Sequence, residues 1–281
     1  MIEISRSSRL YRLIHNIKAM IGIIIIATFI IIAIAAPLIS TYDPYEIKAG
    51  PTFSPVSKDY FFGTDSLGRD MYSRIVYGSR ISLIAAVIVG LTSMVLGTLI
   101  GLIAGYYGGI YDNIIMRIVD VFLSIPVIII GISLAAIFNP SLNIVLAALM
   151  FGNVPVFVRV VRSRTFSIKK ETFVKAAESI NESRIFIMLR CILPSCLGIV
   201  LIQMARTMSI VVIAEAGFSF LGFGSQPPSA SWGLLLATAT QTLYIAPKTL
   251  AIIPGLFIIF LSLGFNFMGD GLRDIYDPKL R

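Results

Sequence analysis

Charged residues are absent from five long stretches of the chain: 19–42, 81–111, 121–158, 216–247 and 249–269. Each exceeds the ~18 residues that mark a transmembrane helix. The first stretch predicts a span over 19–42. The second predicts one span that ends at the turn Gly105-Tyr106-Tyr107-Gly108-Gly109. The third is too long for a single span. Asn139-Pro140-Ser141 divides it into two helices, because the residue before a proline avoids the α region. A fifth span is expected from Leu193 to Ala214 and a sixth over 248–268. Between them, 216–247 is long enough to cross, but Gln226-Pro227-Pro228 and many Ser, Thr and Gly residues interrupt it. Broken backbone at membrane depth survives only beside protein or a wet cavity, so this segment predicts a loop or a partly re-entrant element.

The polar stretches complete the pattern. Residues 43–80 are balanced in charge and rich in Pro and Gly, which predicts a loop ending in an amphipathic piece at 69–80. Within 159–190, Phe173, Val174, Ala176, Ala177 and Ile180 predict one apolar helical face, opposite Lys175, Glu178 and Ser179. A second amphipathic helix follows from Glu182 to Leu193, stopped by Pro194, so the block reads as two short helices with a bend at Asn181.

Composition confirms the solvent. Only 14% of the 281 residues are charged, against about 25% in soluble proteins, and mean hydropathy is +0.89. A soluble enzyme, a disordered chain and a disulfide-stapled secreted domain are excluded. The net charge of +8 follows topology rather than nucleic-acid binding. Fifteen of the 23 Lys and Arg fall in three segments, four in 1–18, eight in 159–190 and three in 273–281. Basic residues collect on the cytoplasmic side, which predicts six spans with both termini cytoplasmic and 43–80 external. The first apolar run is too long for a signal peptide, and Pro37-Leu38-Ile39-Ser40 is no cleavage site.

Candidate chemistry is sparse. No G-x-x-x-x-G-K-[ST] motif occurs. Gly217-Phe218-Ser219 has no later histidine to activate its serine. Cys191, Cys196 and the single His15 fall short of a four-ligand zinc site and read as ordinary residues. Met204 and Met208, four apart, read as packing. Ionisable groups within spans are costly and point to function or pairing. Arg117 and Asp120, three apart, read as a structural ion pair. Arg206, in mid-span, faces a partner helix, a polar path or water. Glu215 lies nine residues on, about 13 Å along a helix, too far to pair with Arg206 directly.

Four motifs in order give these features a family. They are Phe62-Gly63-Thr64-Asp65-Ser66-Leu67-Gly68-Arg69-Asp70 with Ser73-Arg74; the 173–194 block; Glu215 through Gly224, running into Gln226-Pro227-Pro228 and Ser231-Trp232-Gly233; and Phe265-Asn266 with Gly269-Asp270-Gly271-Leu272-Arg273-Asp274 and Asp277-Pro278. From about residue 25 onward the chain resembles the C-type membrane subunit of the dipeptide, oligopeptide and nickel permeases, the channel-forming chains of binding-protein-dependent ABC importers.

The resemblance implies an all-α permease of the type I importer kind, with an N-terminal segment 1–18, a core over 81–281, a coupling loop at about 162–194 and a cytoplasmic tail at 269–281. It implies residence in the cell membrane, a second permease subunit, two cytoplasmic ATPases that carry the ATP and Mg²⁺, and an external binding protein. This chain itself would bind no cofactor. Phe173, Val174, Ala176, Ala177, Ile180, Asn181, Leu193 and Pro194 would form the ATPase-coupling loop. Lys175, Asn181 and Cys191 depart from the family's usual acidic residue, glycine and histidine. Arg206, Glu215 and Ser219 would line the path or gate. Gly63, Asp65, Gly68, Arg69, Asp70, Gly269, Asp270 and Arg273 would be structural. Short peptides are the expected cargo, with nickel or a chelated metal as the alternative. A gradient-driven carrier would show inverted repeats, and none is evident. A non-transporting scaffold would leave the coupling block unexplained.

Overall fold

The computed structural model describes residues 13–242 and 244–276. Helix α1 is Ile17–Ile39, α2 Met71–Tyr107, α3 Gly109–Ser124 and α4 Val127–Phe138. Then come α5 Leu142–Ile168, the short α6 Thr172–Ser179, α7 Arg184–Phe220, α8 Trp232–Gln241 and α9 Thr249–Tyr276. Helices α1, α2, α5, α7 and α9 are each long and apolar enough to cross a bilayer, and the bent pair α3–α4 supplies a sixth crossing if counted as one. The fold is all-α.

Several boundaries differ from the sequence reading, each for a local reason. The stretch 69–80 is no separate amphipathic piece. Asp70 caps α2 by accepting from the Ser73 N–H at 2.8 Å, and an N-capping carboxylate starts a helix where it stands. Helix α2 therefore runs unbroken for 37 residues, with no proline inside. Its C-cap is Gly108, at φ +66°. The break at Asn139-Pro140 is present, with Asn139 at φ +67°. The helix before it starts earlier than expected and breaks a second time at Ile125-Pro126, where α3 and α4 meet at 80°. Proline lacks an N–H and forces its predecessor to extend, and Ile125 has ψ 122°.

Pro194 does not stop a helix. It lies in the first turn of Leu193–Phe220, which continues from a π-helical stretch, Ile187–Ile192. The missing N–H of Pro194 falls where the π-helical stretch joins the α-helix, a place where the regular i→i−4 ladder is already interrupted. The expected tail at 269–281 is helical as far as Tyr276, and residues 277–281 lie outside the described residues.

Close packing of spans comes from glycine. Cβ atoms at Gly97, Gly101 and Gly105 of α2 would sit 2.3 to 2.6 Å from side chains or 2.8 Å from backbone of Phe157, Val158 and Thr165 on α5. Small residues four apart let helix backbones approach in membranes. A similar seam joins α1 to α9. A Cβ on Gly22 would meet the Met268 nitrogen at 2.4 Å, and one on Gly271 would meet Ala19 at 2.5 Å. The Lys18 ammonium lies 3.2 Å from Asp274, so the N-terminal end of α1 and the C-terminal end of α9 are neighbours. The ten-residue α8 is too short to span at 1.5 Å per residue. It packs into the bundle with Trp232 fully buried against Phe29 and Phe257.

Candidate functional site

The motif residues gather at two opposite ends of the bundle. At one end, the segment 40–70 carries little regular structure yet is tightly bonded. Asp65 organises it, accepting from the N–H groups of Leu67 at 2.8 Å and Arg69 at 3.0 Å and from Arg69 Nε at 2.7 Å. Gly63 and Gly68 hold φ of +78° and +69°, and a Cβ on either would run into a carbonyl oxygen at 2.3 to 2.4 Å. Asp70 also accepts from the hydroxyls of Ser73 at 2.6 Å and Thr41 at 3.0 Å.

Arg74 joins this loop to a distant one. Its side chain is 1% exposed and donates to the carbonyls of Pro44 at 2.8 Å and Ser229 at 2.9 Å. At the next residue, the Trp232 indole donates to the Ile75 carbonyl at 2.9 Å. Helix α2 is thus fastened to the segment 221–231.

Glu215 and Ser219 lie in the same cap rather than on an open path. Both are fully buried. Ser219 and Ser231 donate to Glu215 Oε1 at 2.8 and 3.2 Å, and Ser219 Oγ accepts the Ser225 N–H at 3.0 Å. These bonds hold the turn after α7 in place. In this conformation both residues expected at the path or gate are fully buried. Nothing in the sequence marks the Glu215 carboxylate as the acceptor for the Ser219 and Ser231 hydroxyls.

At the other end stands the coupling block, and here the expected single apolar face divides in two. Val174 is fully buried and Ala177 is half-buried, both packed on the chain's own cluster of Tyr106, Phe157, Ile187 and Ile192. Phe173, Ala176 and Ile180 point outward, with Phe173 49% and Ile180 74% exposed. At spacings of three and four they share one helix side. The helix is thus apolar on two sides, one used and one free. Asn181 has φ +61°, the left-handed conformation in which Asn stands next to Gly.

Three further contacts seat the block on the spans. Lys169 Nζ donates to the Tyr106 carbonyl at 2.6 Å and lies 4.9 Å from that ring. The Tyr106 hydroxyl donates to Glu178 at 3.5 Å. The Arg184 guanidinium sits 5.7 Å from the Tyr107 ring. Arg162 of α5 grips Asp112 of α3 through two nitrogens. The expected Arg117–Asp120 pair is not formed. Asp120 instead accepts from Arg159 at 2.6 Å, because α3 turns that face toward α5.

Arg206 is exposed on α7, and Asn266, Asp270 and Arg273 are exposed on α9. A Cβ at Gly269 would lie 3.3 Å from Ala205 and 3.8 Å from Arg206, so the two polar sets border one seam. They form an outward-facing polar strip within otherwise apolar spans.

The family model for the inner membrane component of binding-protein-dependent transport systems matches residues 97–281. The chain belongs to that family. The model for the N-terminal transmembrane domain of oligopeptide transport permease C matches 8–58. A dipeptide transport system permease protein of Alkalihalophilus pseudofirmus is 40% identical over 95% of this chain and 87% of its own length. A glutathione transport system permease protein of Pectobacterium atrosepticum is 40% identical over 85% of this chain and 78% of its own. A chain of the MetNI methionine ABC transporter, in an inward-facing structure, superposes with a TM-score of 0.60 at 20% identity, over 73% of this chain and 97% of that one. That likeness shows the fold. The protein is a multi-pass ABC importer permease subunit, a transporter component rather than an enzyme.

Proposed function

We propose that this chain is one of two different permease subunits in an ATP-driven, binding-protein-dependent importer of dipeptides or short oligopeptides. The free apolar side of α6 carries the proposal. Phe173, Ala176 and Ile180 project from a helix that already buries Val174 against its own bundle, and an unpartnered amphipathic helix suits a groove on another protein. That protein is a cytoplasmic ATPase, which supplies the ATP and Mg²⁺. The eight basic residues of 159–190 support a cytoplasmic position for the block. Both chain ends share its side, and the cap of 40–70 with 221–231 meets the external binding protein. A cysteine at Ser183 should then react with an impermeant thiol reagent only in opened cells, once Cys191 and Cys196 are replaced.

Transport proceeds by alternating access. ATP closes the ATPases, α6 moves with them, and the spans reorient around a path shared with the second permease. The strip of Arg206, Asn266 and Asp270 lines that path, since charge turned outward in a span needs water or a partner. It offers a cation and a carboxylate to the two ends of a zwitterionic peptide. Peptide cargo is supported by the name of the dipeptide relative.

Expression with the neighbouring genes tests the whole reading. A second permease and two ATPases should co-purify, and vesicles holding the complex should accumulate a labelled dipeptide only with ATP and the binding protein. Uptake by this chain alone on an ion gradient would overturn it.

A further inference from the structure

Among the long helices described, α2 is the one without an internal proline, a π-helical stretch or a break, and its Gly78-Ser79 pair is braced by the segment it contacts, since a Cβ on Gly78 would meet Trp232 at 2.5 Å and the Ala230 carbonyl at 2.6 Å. Proline lies inside α1, α5 and α9, a π-helical stretch precedes the main part of α7, and α3–α4 is bent. These are the usual places where helices bend. The 37 residues of α2 cover about 55 Å, longer than the ~30 Å hydrocarbon core. Each end is bonded to one of the two functional regions. At Tyr106 it holds Lys169 and Glu178 of the coupling block. At Arg74 and Ile75 it holds the carbonyl of Ser229 and the indole of Trp232. Between them, Gly97, Gly101 and Gly105 press α2 onto α5, and α5 leads directly into the coupling block at Ile168.

We infer that α2 is the strut that carries the coupling-block stroke to the external segment 221–232, and that Arg74 is the positioning residue through which the strut moves that segment. The inference rests on the importer reading above. A rod bonded at both ends displaces its far end with its near end, whereas a kinked helix absorbs the motion at its bend. Arg74 suits the task because its guanidinium fork spans carbonyls from two separate segments, Pro44 and Ser229, which a lysine's single ammonium does not reproduce.

The test uses the complete importer in lipid nanodiscs and vesicles. Spin labels at Gln226→Cys and Lys248→Cys, with the native cysteines replaced, report the position of the segment relative to α9. In the parent complex their distance should change when ATP is bound. In Arg74→Gln that change should vanish and peptide uptake should fall about tenfold or more, as befits the loss of charge-assisted hydrogen bonds, while ATP hydrolysis continues. A distance change that persists in Arg74→Gln overturns the inference, and so does its absence in a parent complex that transports. A parent complex that neither hydrolyses ATP nor transports would instead defeat the importer reading.

If Arg74→Gln fails to assemble, the two ends are compared with milder changes. Arg74→Lys and Lys169→Ala share no contact, so independent effects should multiply. A strut predicts a combined loss of uptake clearly smaller than the product of the single losses, since either cut already breaks the same linkage. A loss equal to the product overturns the inference.

Discussion

The two ends of this permease are fastened by different kinds of bond. At the cap, Asp65, Arg69, Asp70, Arg74, Glu215 and Trp232 are all buried, and the hydrogen bonds of Arg74 and Trp232 join segments 155 and 157 residues apart. At the coupling end, the polar contacts are partly buried, as at Lys169, Glu178 and Arg162, or open to solvent. Asp120 and Arg159 have side chains 59% and 54% exposed, and Lys18 is 56% exposed beside Asp274. Exposed pairs contribute about 0–1 kcal/mol, whereas cutting one partner from a buried pair costs about 3–5 kcal/mol. The cap is held chiefly by buried bonds, whereas the coupling end is held by partly buried bonds at Tyr106 and by exposed pairs at its rim.

That contrast can be broken most directly at Asp65. Asp65→Ala leaves Arg69 buried without its carboxylate and frees the N–H groups of Leu67 and Arg69. It should destabilise the protein by about 3–5 kcal/mol, seen as a large fall in the thermal unfolding midpoint of the purified chain. A midpoint within a degree or two of the parent would show that the cap does not depend on these buried bonds.

Next in size is a pair of neighbours on α6. Ala176→Asp places a charge on the free side, and should abolish ATPase association while the chain still inserts and pairs with its membrane partner. An unpaired charge buried in that groove costs several kcal/mol. Ala177→Asp instead drives the charge toward Val174 and Ile187, so it should lower the stability of the permease itself. Co-purification and thermal unfolding separate the two. Identical phenotypes would deny that the helix has one docked side and one free side.

Asn181 comes third. A β-branched residue resists positive φ, at a cost of about 1–2 kcal/mol, so Asn181→Val should weaken ATPase binding roughly tenfold or somewhat more. Asn181→Gly should match the parent or exceed it slightly. Equal binding by all three would remove the left-handed bend from the coupling function.

The smallest effect belongs to Asp120→Asn, which cuts the exposed pair with Arg159. It should change stability by less than about 1 kcal/mol, and any effect should shrink further in high salt. A loss comparable to that of Asp65→Ala would place Asp120 in a buried interface with another subunit.

Residue types and spacing alone carried the long apolar helices and the bend at Asn181. Long uncharged runs have no alternative in a bilayer, basic residues report the cytoplasmic side, and the break at Asn139-Pro140 is written in backbone chemistry that acts within a few residues. Gly105, read as part of a turn, is helical and packs with Gly97 and Gly101 on α5, a face that only the packing reveals. The tertiary structure decided everything that depends on which faces meet. It turned Val174 and Ala177 inward and Phe173 and Ile180 outward on a helix that is apolar on both sides, so hydrophobicity could not rank them. It gave Asp120 to Arg159, because an exposed carboxylate has several cations within chain reach and only helix crossing selects one. It carried α7 through Pro194, where the preceding turns were already helical. It buried Glu215 beneath three serines, and it set Arg74 under the carbonyl of Ser229, 155 residues away. Backbone carbonyls are the same at every residue, so no sequence pattern marks the one an arginine will find.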